Sequence, residues 1–186
     1  SFGLGTVTFA GATALEASTN ITLANEIQFN GQTTLNSKLA NTTLEVSKAI
    51  AGGGSLVKNG EGHLKLNAAN SYTGSTTINA GKVIVSNNQS LGKDNSVVLQ
   101  TGTRLETAAD VSLSNRIQLA GNSTIDSLST NSIVSGVISG AGSLSKEGAG
   151  SLSLNGVNTY TGNTLINAGK VIVNNSQSLG QNNQAI

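Results

Sequence analysis

The chain of 186 residues contains no cysteine, proline, methionine or tryptophan, and only three phenylalanines and two tyrosines. Without cysteine there can be no disulfide, thiol nucleophile or zinc–thiolate site. With so few aromatic side chains, a hydrophobic core has to be built from leucine, isoleucine, valine and alanine. The absence of proline and a hydrophobic content of 37% also argue against disorder, which combines low hydrophobicity with high net charge.

Charge of either sign is scarce. Ten Lys and Arg residues against nine Asp and Glu residues give a formal net charge of +1, so there is no basic surface for nucleic acid or an anionic membrane. No apolar run approaches the roughly 18 residues of a membrane-spanning helix. Residues 1–10 lack the basic start and long apolar run of a signal peptide, so an export signal is expected outside this sequence.

What the sequence has is an internal repeat. Residues 54–95 and 142–183 are identical at 28 of 42 positions, with an offset of 88. The flanking segments also match, since Leu15-Glu16 corresponds to Leu105-Glu106 at an offset of 90. Such self-similarity is typical of repeat architectures. We therefore predict a single β-helix segment, 1–186, made of two long modules (about 1–92 and 93–186) and belonging to a longer protein.

Each module reads as short strands separated by Gly, Asn, Ser and Asp. Apolar and polar residues alternate, which places them on opposite faces of a strand. Residues 104–114 come closest to a helical period, but they match the strand-like residues 14–24. The strand-like runs are Val7–Phe9, Leu64–Leu66, Lys82–Val85, Val97–Leu99, Ile117–Leu119, Leu152–Leu154 and Val171–Val173.

Equivalent runs recur about every twenty residues, since Leu152 and Val171 are 19 apart and Val111 and Ile133 are 22 apart. This spacing predicts an all-β fold, a parallel β-helix (β-solenoid) of about nine rungs of roughly 20 residues and about 40 Å long. Each module would span about four rungs. Asparagines at matched corners (Asn67 and Asn155, Asn79 and Asn167) are expected to bond backbone groups there.

A β-sandwich or barrel is the alternative fold. Such folds normally use tight hairpin turns and larger aromatic core residues, whereas Asn-Gly pairs occur here only at Asn30, Asn59 and Asn155. The repeat pattern therefore favours the solenoid.

The pattern GSLxKxGxGxLxLNxxNxYTGxTxINAGKVIV occurs at 54–85 and again at 142–173. It resembles the passenger-associated transport repeat, also called the autotransporter-associated β-strand repeat. The resemblance implies a right-handed parallel β-helix in the passenger of a type V secretion protein. It also implies a location outside the outer membrane of a Gram-negative bacterium, often in adhesins and other virulence factors, and a role of the repeat in passenger folding. The β-barrel translocator of such proteins is expected outside this sequence.

Several residues resemble catalytic residues in type or spacing alone. His63 is the single histidine, but it has Ser151 as its counterpart and is predicted to face outward. Ser55 and Lys58, like Ser143 and Lys146, match the S-x-x-K pattern of serine hydrolases. On a strand, residues three apart point to opposite faces, so we interpret this match as accidental.

Binding residues are equally sparse. Tyr72 and Tyr160 share one repeat position and are interpreted as loop residues that cover the wall, with a two-point ligand platform as the alternative. Lys82 and Lys170 are interpreted as solvated corner charges. Glycoside hydrolysis usually needs two positioned carboxylates, and Asp94, Asp110, Asp126 and six glutamates are scattered singly along the chain.

We therefore predict a non-enzymatic stalk or scaffold of a surface-displayed or secreted passenger. No catalytic, cofactor-binding or metal-binding residue is assigned, and the ligand-binding residues are unknown. One alternative is a rod that itself binds a host-cell protein or glycan. A second alternative is a polysaccharide-acting β-helix enzyme. Possible partners are a host-cell surface protein or glycan, or another passenger, with no nucleic acid and no membrane span.

Overall fold

The computed structural model describes residue 3 and residues 5–93 and 95–181, which form strands and turns but no helix. Within them the chain forms 22 short strands joined by tight corners. In chain order the strands are β1 (Val7–Phe9), β2 (Thr13–Ala17), β3 (Ile21–Leu23), β4 (Ile27–Phe29), β5 (Thr33–Ser37), β6 (Thr43–Val46), β7 (Ile50–Ala51), β8 (Leu56–Asn59), β9 (His63–Leu66), β10 (Thr76–Ile78), β11 (Lys82–Val85), β12 (Ser96–Leu99), β13 (Arg104–Thr107), β14 (Ser112–Leu113), β15 (Arg116–Leu119), β16 (Ser123–Ser127), β17 (Asn131–Val134), β18 (Ile138–Gly140), β19 (Leu144–Glu147), β20 (Ser151–Leu154), β21 (Thr164–Ile166) and β22 (Lys170–Val173).

The strands pair in parallel with the strand one turn earlier and one turn later. Partners lie between 19 residues apart, as for His63 and Lys82, and 23 residues apart, as for Ile21 and Leu44. The stacked strands form three faces. Face 2 contains β2, β5, β8, β10, β12, β15 and β18, and face 3 contains β3, β6, β9, β11, β13, β16, β19 and β21. Face 1 begins with β1, β4 and β7 and ends with β14, β17, β20 and β22.

Face 1 is interrupted in its middle by two irregular passes, residues 70–73 and 87–92. The first lies on β7, because the Ser71 amide donates to the Ile50 carbonyl at 2.8 Å. The second lies between this pass and β14, since the Asn70 amide donates to the Gln89 carbonyl and the Ser112 amide to Asn88 Oδ1. The two sheets of face 1 are therefore parts of one stack.

The predicted fold class is confirmed: the described chain is an all-β parallel solenoid of about eight turns, close to the nine rungs predicted. The hairpin-based sandwich is wrong, because every described strand pair is parallel. The seven predicted strand runs all lie within observed strands, and residues 104–114 contain both β13 and β14.

The expectation of four rungs per module needs a correction. Eleven strands and the two irregular passes give thirteen passes over three faces, which is four and one-third turns. The second module consequently starts one face later than the first. β1 lies on face 1, whereas its module equivalent β12 lies on face 2, and the same rotation separates β8 from β19 and β11 from β22.

The interior is filled by columns of aliphatic side chains, because alternate residues of each strand point inward. Leu44, Leu64, Val83 and Leu105 succeed one another in one column on face 3 and are fully buried. No single rung could bury its own apolar side, so each rung depends on its neighbours.

Two glycine corners show why the modules are rich in that residue. Gly60 and Gly148 hold equivalent positions and have φ angles of 80° and 76°, a region that favours glycine. A Cβ atom at Gly60 would come within 2.2 Å of the Ser37 carbonyl oxygen and 2.4 Å of Asn36 Oδ1. The corner therefore excludes larger residues both by conformation and by space.

The hydrogen-bond partners of the matched corner asparagines differ from those predicted. The Nδ2 atom of Asn79 donates to Asn59 Oδ1 at 2.9 Å, and that of Asn167 donates to Glu147 Oε1. Asn67 and Asn155 likewise bond side chains, Glu45 and Asn174 respectively. The prediction of side-chain bonds to backbone was wrong at these four positions, because their side chains stack on polar side chains of the adjacent rung.

Candidate functional site

The two lysines of the S-x-x-K matches lie inside the solenoid. Lys58 occupies an aliphatic column between Leu35 and Ile78, and both Lys58 and Lys146 are fully buried. Ser55 and Ser143 are half-exposed on the outer surface. Serine and lysine thus point to opposite sides of the wall, as the strand geometry predicts, and cannot act on one substrate.

Each buried ammonium group closes a corner of the chain. Lys58 Nζ donates to the carbonyl oxygens of Asn59 at 2.8 Å, Gly60 at 2.7 Å and Ala80 at 3.3 Å. Lys146 Nζ makes the equivalent bonds to Glu147, Gly148 and Ala168. Burial lowers the pKa of Lys58 to about 8, with the Glu61 carboxylate opposing the shift, and burial also lowers the pKa of Lys146. Sequence reasoning missed this role, although the lysine recurs at the same position of both modules.

The two tyrosines are also interior. Tyr72 and Tyr160 are fully buried, and their hydroxyl groups bond Thr76 and Thr164 at 2.6 Å in both modules. The Tyr72 ring packs on Phe29 with centroids 5.8 Å apart. Burial raises the pKa of both phenols. Both tyrosines lie outside the strands, as predicted for loop residues, but they fill the interior instead of covering the wall. The two-point surface platform is wrong, because neither hydroxyl reaches solvent.

An asparagine beside each tyrosine links three successive rungs. Asn70 Oδ1 accepts from the Ile50 amide at 2.8 Å and its Nδ2 donates to the Ser90 carbonyl at 2.5 Å. Asn158 makes the same pair of bonds to Ile138 and Ser178. These side chains satisfy backbone groups where irregular passes replace strands. The N-x-Y-T-G part of the repeat therefore supplies an asparagine side chain that connects neighbouring rungs inside the solenoid.

Six charged residues of face 3 form an ionic strip, defined as Glu45, Lys65, Lys82, Arg104, Glu106 and Asp126. Glu45 accepts from Lys65 at 3.1 Å, and this bond contributes most to lowering its pKa. Lys82 lies 2.6 Å from Glu106, and Arg104 lies 3.3 Å from Asp126. Lys82 is therefore a half-buried partner in a pair that joins the two modules, and its interpretation as a solvated corner charge was wrong. Lys170, its counterpart, is exposed.

His63 lies beside this strip on β9, directly between Thr43 and Lys82 in the stack. Partial burial, followed by the positive charge of Lys82, lowers the pKa of its imidazole. These neighbours favour a neutral ring within a polar surface column.

Several carboxylates bond neighbouring groups of the fold. Asp110 Oδ1 accepts from the Asn131 amide at 2.8 Å, and Glu106 and Asp126 are held by the cations of the ionic strip. Asp94 lies outside the described residues. Within the described residues no group of three or more His, Asp or Glu side chains is placed to hold a metal ion. No helix of the described chain is long and apolar enough to cross a membrane.

Two shallow depressions lie on corners of the second module. One of about 230 Å³ is lined by residues 128–130 and 149–151. The other, of about 260 Å³, is lined by Asn122, Ser143, Ser145, Asn163, Thr164 and Leu165. Both are smaller than the roughly 300–1,000 Å³ of typical ligand pockets, and neither brings charged side chains together.

Comparison with known proteins agrees with this architecture. The passenger-associated-transport-repeat family matches residues 56–85 and 144–173. The chain is also 38% identical over 130 residues, 69% of its length, to "Adhesin BmaC autotransporter" of Brucella suis biovar 1 (strain 1330). The chain is an autotransporter passenger segment with two such repeats. The match covers 4% of the Brucella protein's length, and no solved structure matches the passenger segment significantly.

The family match confirms the two repeats identified in the sequence. Their matched residues run from β8 to β11 and from β19 to β22, so each repeat covers four strands and one irregular pass, or one and two-thirds turns of the passenger segment. The buried lysine, tyrosine and asparagine of each module all lie within these turns. The recognisable motif is thus the set of residues that hold two turns together.

Proposed function

We propose that this passenger segment is a non-enzymatic stalk of a bacterial adhesin. It would support display outside the outer membrane and the folding of the passenger during secretion. The adhesin homologue supports this assignment, as does the continuous stack of rungs. A part in virulence and attachment to host cells belongs to the proposal for the whole protein, and not to a site on these residues.

One observation carries the proposal. From Leu56 to Leu66 the two modules are identical at every even-numbered position and different at every odd-numbered one. The shared residues are the buried leucines, the buried lysine and the corner glycines, whereas residues such as Val57, His63 and Lys65 have serine in the second module. Over these eleven residues the repeat preserves what holds rungs together and varies what a ligand would touch. This pattern is typical of a scaffold.

The test exchanges the outer surface of one module for that of the other. The variant carries V57S, N59E, E61A, H63S and K65S, the residues of the second module. We expect it to keep the β-sheet circular dichroism spectrum of the parent chain. We also expect the labelled parent and variant to bind host cells no better than a labelled unrelated β-solenoid. Saturable cell binding by the parent that is lost in the variant would favour the receptor-binding rod instead.

A further inference from the structure

Each module contains the same contact between two successive turns. In the first module β8 and β9 stack on β5 and β6, and in the second module β19 and β20 stack on β16 and β17. These contacts are called the first and the second interface. Matching hydrogen bonds cross both of them, so a difference in strength has to come from the remaining side chains. The matching bonds are donated by the Gly54, Gly62 and Asn67 amides and the Ser37 hydroxyl group at the first interface, and by the Gly142, Gly150 and Asn155 amides and the Ser127 hydroxyl group at the second.

A charge cross-link spans the first interface. Glu45 accepts hydrogen bonds from Lys65 at 3.1 Å and from Asn67 at 2.5 Å. The equivalents of Glu45 and Lys65 are Ile133 and Ser153, which lie opposite each other on β17 and β20. Because an isoleucine side chain can neither accept nor donate a hydrogen bond, this cross-link has no counterpart at the equivalent positions of the second interface.

The core is also less apolar at the second interface. Leu44 is fully buried and stacks on Leu64, whereas its equivalent Ser132 stacks on Leu152. The Ser132 hydroxyl group bonds Thr107 at 2.7 Å, so the serine is satisfied, but it offers the next turn less apolar area. Since hydrophobic stabilisation scales with the apolar area buried, we expect this stack to be the weaker of the two.

Two carboxylates oppose each other across the second interface. Asp126 lies directly opposite Glu147, while the equivalent residues Asn36 and Asn59 face each other across the first interface. Like charges at directly opposite strand positions are destabilising. The ammonium group of Lys146 attracts both carboxylates, which offsets part of this repulsion.

The corner of the second interface is shorter than that of the first. Five residues, 38–42, connect β5 to β6, but only three, 128–130, connect β16 to β17. The depression of about 230 Å³ lies between this short corner and residues 149–151 of the next turn. The two turns therefore leave space between them at one corner of the second interface.

The interfaces on either side of the second one are cross-linked by charged groups. Arg104 contacts Asp126 at 3.3 Å across the preceding interface. Lys146 donates to the Ala168 carbonyl at 3.3 Å across the following interface. Hydrogen bonds to charged groups are roughly twice as strong as neutral ones, so the second interface lies between two stronger contacts.

We propose that the second interface is the weakest contact between turns in the described stack, where the solenoid opens first. Opening there separates residues 138–173, which contain β18 to β22, from the turns that precede them. In a solenoid each turn contacts only its neighbours, so the other turns stay folded while this contact is broken. In the stalk proposed above, the opening lets the chain lengthen under tension before the rest of the stack yields. Only this mechanical role rests on the stalk function.

Amide hydrogen exchange, followed by NMR in the intact chain, compares the two interfaces directly. Two turns precede the first interface and two follow the second, so opening from the ends affects both alike. After correction for intrinsic rates, Gly150 and Asn155 should exchange about tenfold faster than Gly62 and Asn67. Equal protection of these matched amides would refute the weak contact and leave the stalk function in place. Loss of protection along the whole chain would count against the stack itself, and with it the stalk.

A variant that gives the second interface the charge cross-link of the first tests the cause. I133E combined with S153K is expected to slow exchange of the Asn155 amide about threefold, as for a partly exposed ion pair. T77E combined with V98K is the control, since it adds the same pair across β10 and β12, away from both interfaces. It should leave exchange of Asn155 unchanged, and an equal effect of both variants would show that the added pair does not act at the second interface.

Two further variants keep the test independent of that one pair. The reverse change at the first interface, E45I combined with K65S, should speed exchange of the Asn67 amide about threefold. T107A combined with S132L gives the second interface the core residues of the first, and should slow exchange there about tenfold. Exchange that responds to none of these changes would overturn the proposal.

Pulling single chains by their two ends in optical tweezers tests the mechanical role. If the second interface opens first, the first extension step should be about 160 Å, the extended length of residues 138–186 less two folded turns. I133E combined with S153K should raise the force at which this step occurs. Extension in steps of about 60 Å, which is one turn at a time from the end, would contradict opening at the second interface.

Discussion

At the scale of single residues, the buried lysines are the least expected feature of the fold. Each places an aliphatic stem in a leucine–isoleucine column and its ammonium group against three corner carbonyls. Removing Lys58 leaves these carbonyls without their donor. We expect K58M to lower the free energy of unfolding by about 1–3 kcal/mol at pH 7, measured by urea denaturation.

The pH dependence identifies the buried charge. The folded chain releases the Lys58 proton near pH 8, whereas the unfolded chain keeps it until about 10.5. The unfolded state therefore binds more protons between these values, and stability should rise with pH across this window. K58M should reduce that rise. Equal slopes in the parent and in K58M between pH 8 and pH 10 would show that the ammonium group is not desolvated.

The corner glycines permit a three-way comparison. G60A adds both an unfavourable positive φ and a clash with Ser37 and Asn36, and should cost about 2–4 kcal/mol. G102A has a φ of 79° but open space around the new Cβ, and should cost about 1–2 kcal/mol. G53A has neither problem and should be near neutral. Thermal unfolding of the three variants checks this order, and a G60A chain as stable as G102A would contradict the packing argument.

At the scale of strands, the junction of the two modules depends on one partly buried ion pair. E106Q removes the charge that Lys82 contacts across β11 and β13. The expected loss of stability is about 1–2 kcal/mol, between the values for exposed and buried pairs. E16Q alters the same module position at the exposed end of the solenoid and should change stability by less than about 0.5 kcal/mol in the monomer. Equal losses in the two variants would remove the special role of the junction.

The strands themselves could be predicted because alternation and a spacing of about twenty residues are local signals. Leu64 and Leu66 had to share a face, and Val83 and Val85 had to stack on them. The interior polar residues could not be predicted in this way. From the sequence, Lys58 has no assigned structural role and Tyr72 is interpreted as a residue covering the wall, because the burial of both depends on adjacent rungs, which supply Ile78 next to Lys58 and Phe29 next to Tyr72.

At the scale of the whole molecule, the rotation of the second module was also hidden from the sequence. An offset of 88–90 residues divides almost evenly into four rungs of 22, and only the two irregular passes over face 1 make it four and one-third turns. Equivalent surface positions therefore appear on successive faces. The polar corners that the modules share do not line up along one side of the rod.

The most direct test of this account measures two distances from one position. Spin labels are placed on Val57 and Ser139, which share a column on face 2 four rungs apart, and on Val57 and its module equivalent Ser145 on face 3. Pulsed electron paramagnetic resonance should find the Val57–Ser139 distance to be the shorter of the two. The two backbone positions are separated by about 19 Å along the axis, and the length of the labels adds to this distance. A shorter Val57–Ser145 distance would mean that the modules stack in phase, which contradicts the solenoid described above.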